Sequence, residues 1–164
     1  MEFMSKPSIK TFQKTVLVGK RLKMSLAMNR TKELWQEFMK QRSDIKNRVD
    51  PEFYSVEVYP DSTFFKNFDP HNEFEKWAAV KVRDHDTIPK EMEALTIPQG
   101  LYAVFLYKGK ASDAPKAYQY IFGTWLPMAD YTLDDRPHFA IMGEKYKNED
   151  PSSEEELWIP VKKK

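Results

Sequence analysis

The sequence predicts an α+β domain in which two like β-α-β-β units form an antiparallel sheet with helices on one of its faces. Three observations carry that expectation. Several segments alternate apolar and polar residues over strand-like lengths, with Phe139 and Ile141 on one face of one arm and Leu157, Ile159 and Val161 on one face of the next. Two other segments repeat apolar residues at helical spacing. The chain also matches itself. Glu75-Lys-Trp77-Ala-Ala-Val80-Lys81 aligns with Glu156-Leu-Trp158-Ile-Pro-Val161-Lys162 at an offset of 81, with four identities in seven, and Val56-Glu57-Val58 aligns with Phe139-Ala140-Ile141 at an offset of 83. The same 83 lays Trp35-Gln36 and Phe38-Met39 on Tyr118-Gln119 and Ile121-Phe122. Three collinear matches are the mark of a duplicated unit. The expected organisation is a single domain over 1–164, with a first unit at about 6–95 and a second at about 96–164.

In chain order, 9–26 is extended in character, centred on Val16-Leu17-Val18, and Gly19 marks a bulge or a close approach of two backbones. Asn29 or Thr31 can cap the helix that follows, whose stripe is Leu34, Trp35, Phe38 and Met39. Asp50-Pro51 ends the connection. A hairpin then runs over 53–59 and 74–83. Its long joining loop holds Phe64, Phe65 and Phe68, and three phenylalanines in a polar loop point to a lid or a packed flap. Pro89, Pro98 and Gly100 make 87–100 the connection between units. The second unit opens with the apolar strand 101–107, closed by Gly109. Ser112 or Asp113 caps a second helix with Pro115 in its first turn, Tyr118, Ile121, Phe122 and Trp125 as its buried stripe, and Pro127 as its stop. A final hairpin spans 136–162, turning through 148–153.

Composition excludes several classes of function. Lysine plus arginine number 26 against 25 aspartate plus glutamate, a net charge of +1 with the signs interspersed, so neither a nucleic-acid groove nor a polybasic membrane patch is indicated. The chain has no cysteine, which removes disulfides, thiolate metal sites and cysteine nucleophiles. No apolar run approaches the ~20 residues of a membrane span and no signal-like segment opens the chain, so a cytoplasmic location is expected. Three histidines, His71, His85 and His138, are too scattered for a metal triad, and with five glycines there is neither a phosphate-cradling loop nor a Gly-x-Ser-x-Gly elbow. No cofactor and no metal are expected.

Gly100-Leu-Tyr-Ala-Val-Phe-Leu-Tyr-Lys-Gly109, Trp125-Leu126-Pro127, Asp135-Arg136-Pro137-His138-Phe139 and Glu156-Leu-Trp-Ile-Pro160 together resemble the GyrI-like small-molecule-binding family. That family includes DNA gyrase inhibitory proteins and the effector-binding domains of AraC-type and MerR-type regulators. The resemblance covers nearly the whole chain from about residue 6. It implies two β-α-β-β units about a pseudo-twofold axis and an aromatic-lined ligand cleft between them, which we expect on the sheet face away from the helices. The implied partner is a small amphipathic, planar or cationic molecule that the protein sequesters or senses. Two alternatives follow from the same resemblance. One is hydrolysis of strained, cyclopropane-bearing natural products by a carboxylate and a tyrosine. The other is modulation of DNA gyrase or of a regulator.

One departure from the family pattern bears on these alternatives. Where the resemblance implies a glutamate, the strand reads Phe139-Ala140-Ile141-Met142, which counts against an enzyme. Glu144 is in phase but four strand residues, roughly 13 Å, away. Glu57 occupies the matching position of the first unit, and two readings stand: a carboxylate in the cleft, with Val56 and Val58 turned to the helices, or a solvated sheet edge. Tyr59, Trp77 and Trp158 fall out of phase with the helix-facing set and offer flat walls for a cationic guest, with Tyr102 able to serve either face. Glu75 and Glu156 precede the two tryptophans by two and share their face. His138 lies either at the cleft mouth or at the surface. The candidate ligand-binding set is Glu57, Tyr59, Trp77, Tyr102, His138, Ala140, Met142, Glu156 and Trp158, with no catalytic residue assigned.

Overall fold

A computed structural model describes residues 6–66 and 68–164. The strands are β1 (Ser8–Phe12), β2 (Thr15–Met24), β3 (Phe53–Val58), β4 (Phe74–Lys81), β5 (Glu93–Ile97), β6 (Gly100–Lys108), β7 (Tyr131–Leu133), β8 (His138–Met142) and β9 (Glu154–Lys163). Helix α1 is Thr31–Gln41. Helix α2, Ala114–Tyr120, continues through a wide π turn, Ile121–Trp125, into a last turn, Leu126–Met128.

These elements refine the expected ones. The extended run at 9–26 breaks at Gln13-Lys14 into two strands, and the connection at 87–100 contains a strand of its own, β5. Arg30, not Asn29 or Thr31, occupies the N-cap position of α1 and makes no side-chain cap; the Asn29 side chain accepts the Thr31 N–H at 2.9 Å at the helix start. Pro127 falls inside the final turn instead of stopping the helix before it, because early helical positions tolerate a residue with no N–H.

Eight strands follow one another in the order β1-β6-β9-β8-β3-β4-β2-β5, with β7 added to β9, and every pairing is antiparallel. The sheet is curled, and its connections require it. β1 and β2 are six strand spacings apart, roughly 29 Å in a flat sheet. Only Gln13 and Lys14 join them, three Cα steps or about 11 Å at most. β5 and β6 are likewise six spacings apart and joined only by Pro98 and Gln99. The two ends of the sheet must therefore approach each other, giving the curled antiparallel sheet with two helices of an α+β domain.

Curling divides the core into three. The inside of the curl, about as wide as eight strands can fill with side chains, holds Leu17, Tyr54, Val56, Trp77, Ile97, Tyr102, Val104, Phe139, Ile141 and Trp158, with Phe12 and Val58 against them. A second cluster lies under α1 and includes Val18, Leu34, Phe38, Phe74 and Val80. The third lies under α2 and includes Phe105, Ala117, Ile121, Ala140, Leu157 and Ile159.

The central pair is β3 with β8, where Val56 faces Phe139, Glu57 faces His138 and Ser55 faces Ala140. Outward on one side come β4, β2 and β5, and on the other β9, β6 and β1. Val56 lies beside Trp77 and Trp77 beside Arg21; Phe139 lies beside Trp158 and Trp158 beside Val104.

Candidate functional site

Strand alternation sends Phe53, Ser55 and Glu57 of β3 to one face and Tyr54, Val56 and Val58 to the other. Phe53 meets Trp35 and Phe38 of α1, at ring-centroid separations of 6.1 and 6.4 Å, whereas Val56 and Val58 belong to the interior of the curl. Glu57 therefore faces the helix layer, the reverse of the expected orientation. The reason is that β3 is covered on both faces, so its apolar residues do not reveal which face carries the helices.

Glu57 is 6% exposed at the centre of the sheet, which excludes the solvated-edge reading. Its partner is Lys76 of the adjacent strand, whose Nζ donates to Glu57 Oε2 at 2.5 Å, both side chains being largely withdrawn from water. A pair held this way depends on both members, since removing one strands a charge in a poor dielectric, at a cost of about 3–5 kcal/mol. Glu155 of β9 shares the face of Leu157, and burial pushes its carboxyl up to about 7, with Lys76 opposing and Glu57 adding to the shift. The Tyr118 hydroxyl on α2 feels Glu57, Glu155 and Tyr59, and burial raises it well above its ordinary range. Both carboxylates thus act on one α2 hydroxyl.

Aromatic rings close over this polar group. Tyr59 meets His138 at 4.7 Å edge-on, and Phe64 and Phe65 at 4.6 and 4.8 Å. Phe65 stacks on Phe122 of α2, 4.1 Å between centroids and 10° between planes, and packs against both helix-side clusters. Phe122 lies parallel to Tyr118 in turn. The three-phenylalanine loop is a packed flap: Phe64 is buried, Phe65 packs against both helix-side clusters, and Phe68 is 48% exposed. His138 is 4% exposed, so the surface reading fails; burial, with Arg136 adding to it, lowers its imidazole to about 3, and it is neutral at physiological pH.

The predicted site residues divide between the two faces. Glu57, Tyr59 and His138 meet in the helix-side group. Ala140, 4% exposed, packs beneath α2, and Met142 follows it on the same face. Trp77, Tyr102 and Trp158 lie inside the curl with Phe12 and Phe139. Trp158 stacks on Phe139 at 5.3 Å, Tyr102 sits 5.2 Å from Phe139, and Phe12 sits 4.8 Å from Phe139 and 5.1 Å from Trp158. These are the separations of a packed aromatic core. Glu156 accepts the Trp158 indole N–H at 3.0 Å, and Glu75 accepts that of Trp77 at 2.8 Å, so both carboxylates are committed to their tryptophans.

Arg136 closes one end of this interior. Its guanidinium lies 4.7 Å over the Tyr102 ring and donates to the carbonyls of Leu101 and Val161, at 2.7 and 3.0 Å, and to Asp134. Gly100 makes room for it, since a Cβ there would stand 2.1 Å from Arg136 Nη1. A cavity of about 100 Å³ opens beside the flap, lined by Tyr59, Asp61, Asp134, Arg136 and His138 among others. Small-molecule sites usually enclose roughly 300–1,000 Å³, so this cavity alone holds no such guest. Among the described residues no group of three or more His, Asp or Glu side chains is placed to hold a metal.

Sequence reasoning missed Lys76, Glu155, Tyr118 and Phe122. Lys76 carried a signal, an internal lysine on a strand paired with the one bearing Glu57. The long loop between the two strands hid the register that brings them together.

A curled antiparallel sheet with two helices is an α+β domain. The chain belongs to the GyrI-like small molecule binding domain family, whose model matches residues 5–162. Transcriptional regulator BrlR of Pseudomonas aeruginosa is 25% identical over 131 residues, covering 79% of this chain and 45% of the regulator. This chain thus spans less than half the length of that curated relative. Among solved structures, SAV2435 bound to tetraphenylphosphonium superimposes with a TM-score of 0.69 at 16% identity, covering 96% of this chain and 94% of that one. The EcmrR chain of a cryo-EM EcmrR–DNA complex gives 0.73 at 18% identity, covering all of this chain and 59% of its own length. At those identities the likeness is one of fold.

Proposed function

We propose that this protein binds an amphipathic, planar or cationic small molecule at the seam between two like halves, on the helix side of the sheet, and so sequesters or senses it. The observation that carries the reading is the buried Glu57 carboxylate, which faces His138 across the central strand pair, with the rings of Tyr59, Phe65 and Phe122 packed around that histidine. A carboxylate withdrawn from water attracts a cation more strongly than a surface one, and flat rings supply cation–π and stacking contacts. The tetraphenylphosphonium bound by SAV2435 is a cation carrying phenyl rings, which agrees with such a site.

Two like halves are supported by register as well as by sequence. The residue facing Val56 across the central pair is Phe139, and 139 − 56 is 83, the offset of the internal match. The next positions outward, Trp77 and Trp158, then Arg21 and Val104, keep offsets of 81 and 83. Each tryptophan gives its indole N–H to the glutamate two residues before it. In this scheme Glu57 and Ala140 are equivalent positions, so the acid missing from one half is supplied by the other.

Titration with tetraphenylphosphonium, followed by intrinsic fluorescence and thermal shift, tests the reading. Micromolar binding is expected in the wild type. Glu57→Gln should weaken it about tenfold, the loss of one partly buried charge contact. A wild type whose melting temperature is unmoved by millimolar tetraphenylphosphonium would overturn the proposal.

A further inference from the structure

We infer that Phe65 is a resident guest of this cleft, and that the ligand is a flat cationic aromatic ring that takes its place. The inference rests on the helix-side cleft being the binding site. Phe65 is the one flap ring that bridges the clusters under α1 and α2, lying flat on Phe122 at 4.1 Å and 10°, with Tyr59 edge-on at 4.8 Å and the His138 ring 6.0 Å away. A planar ligand stacking between the halves needs that same position. The adjoining cavity shares Tyr59 and His138 with Phe65, so removing the ring joins a space of about 100 Å³ to the one it vacates.

The geometry also selects the guest. Two phenyl faces laid parallel bring like quadrupoles together, an arrangement weaker than an offset or edge-on one. An electron-poor, positively charged ring on the face of Phe122 reverses the sign of that interaction, beside the His138 ring that faces Glu57 across the central strand pair. Exchange does not require the flap to unfold. Phe64, buried beside Tyr59 and Phe74, anchors the loop, while its neighbour Phe65 is only half-buried and can swing out on its own side-chain torsions. The apparent affinity of the wild type is then the intrinsic affinity multiplied by the fraction of molecules with Phe65 displaced.

Truncating an aromatic residue of the site should for this reason tighten binding. With ethidium as the flat cation, Phe65→Ala is expected to lower the dissociation constant about tenfold and to raise the association rate, as expected when a competing conformation is removed. Phe68→Ala, on the exposed tip of the same loop, should leave the constant within about twofold of wild type. Phe65→Leu, which keeps apolar bulk without a flat face, serves if the alanine variant does not fold and should also tighten binding. If ethidium binds the wild type and either Phe65 variant binds it more weakly, Phe65 is a wall of the site and the inference fails while the cleft survives. If folded wild type and variants bind neither ethidium nor tetraphenylphosphonium at millimolar concentration, the cleft itself is wrong.

Discussion

Glu155 and His138 both face the helix layer, yet they titrate in opposite senses. Glu155, raised from 4.5 to about 7, favours the folded state while protonated; its contribution is complete below about pH 4.5 and is lost as pH rises through about 7. His138, lowered from 6.5 to about 3, favours the folded state while neutral; its contribution is complete above 6.5 and is lost as pH falls toward 3. Between pH 4.5 and 6.5 the two slopes, each about 1.4 kcal/mol per pH unit at most, oppose each other. The groups that set these shifts besides burial are Lys76 and Glu57 for the carboxyl and Arg136 for the imidazole. Urea unfolding of Glu155→Gln at a series of pH values should therefore show stability climbing from pH 4.5 to 6.5, while His138→Gln should show it falling over pH 4.5 to 7. Parallel profiles for the two variants would show that these groups do not sense the folded environment described.

At the scale of elements, the pairing of β2 with β4 is set by backbone proximity as much as by side-chain pattern. Gly19 on β2 faces Ala79 on β4, and a Cβ at Gly19 would stand 2.0 Å from the Ala78 carbonyl oxygen and 2.7 Å from the Ala79 Cα. Neither is a flexible group that can turn aside. Gly19→Ala should cost at least ~2 kcal/mol, read as a lower urea midpoint at unchanged slope. The close approach at Gly19 was legible in the sequence, as were α1, its Leu34 and Phe38 face, and the two hairpins, because period and punctuation are local signals. The faces were not legible. With the interior of the curl apolar and the helix side also apolar, Val56 and Ala140 look alike in sequence although one points into the curl and the other beneath α2. Glu57 was found through the internal match, whereas Glu155 stood in a run of three glutamates that reads as a solvated strand start; only the packing of α2 over β9 withdraws its middle member from water.

The molecule as a whole is held in its curled form by two short links, Gln13-Lys14 and Pro98-Gln99, each spanning from one end of the sheet to the strand beside the other end. They bring one or more aromatic residues from each of β1, β3, β4, β6, β8 and β9 into one interior and leave the other face of the central strands to the helix side. The binding proposal belongs to this scale, because Glu57, Tyr118, Phe65 and Glu155 come from four elements that no shorter piece of chain brings together.

Those links also mean that the order of strands along the chain and their order in space can be separated. β1 runs into β2 but pairs with β6, beside β9, just as β5 follows β4 through the eleven residues 82–92 and pairs with β2 beside it. A circular permutant that joins β9 to β1 through a linker of about eleven residues and opens the chain between Gln13 and Lys14 would make the four strands on each side of the β3–β8 pairing contiguous in sequence. It is expected to fold cooperatively with the far-ultraviolet circular dichroism of the parent and a lower melting temperature, since one of the two seams is cut. The covalent path would then be redrawn while the architecture stays, and β1 would travel with β6, the strand it pairs with.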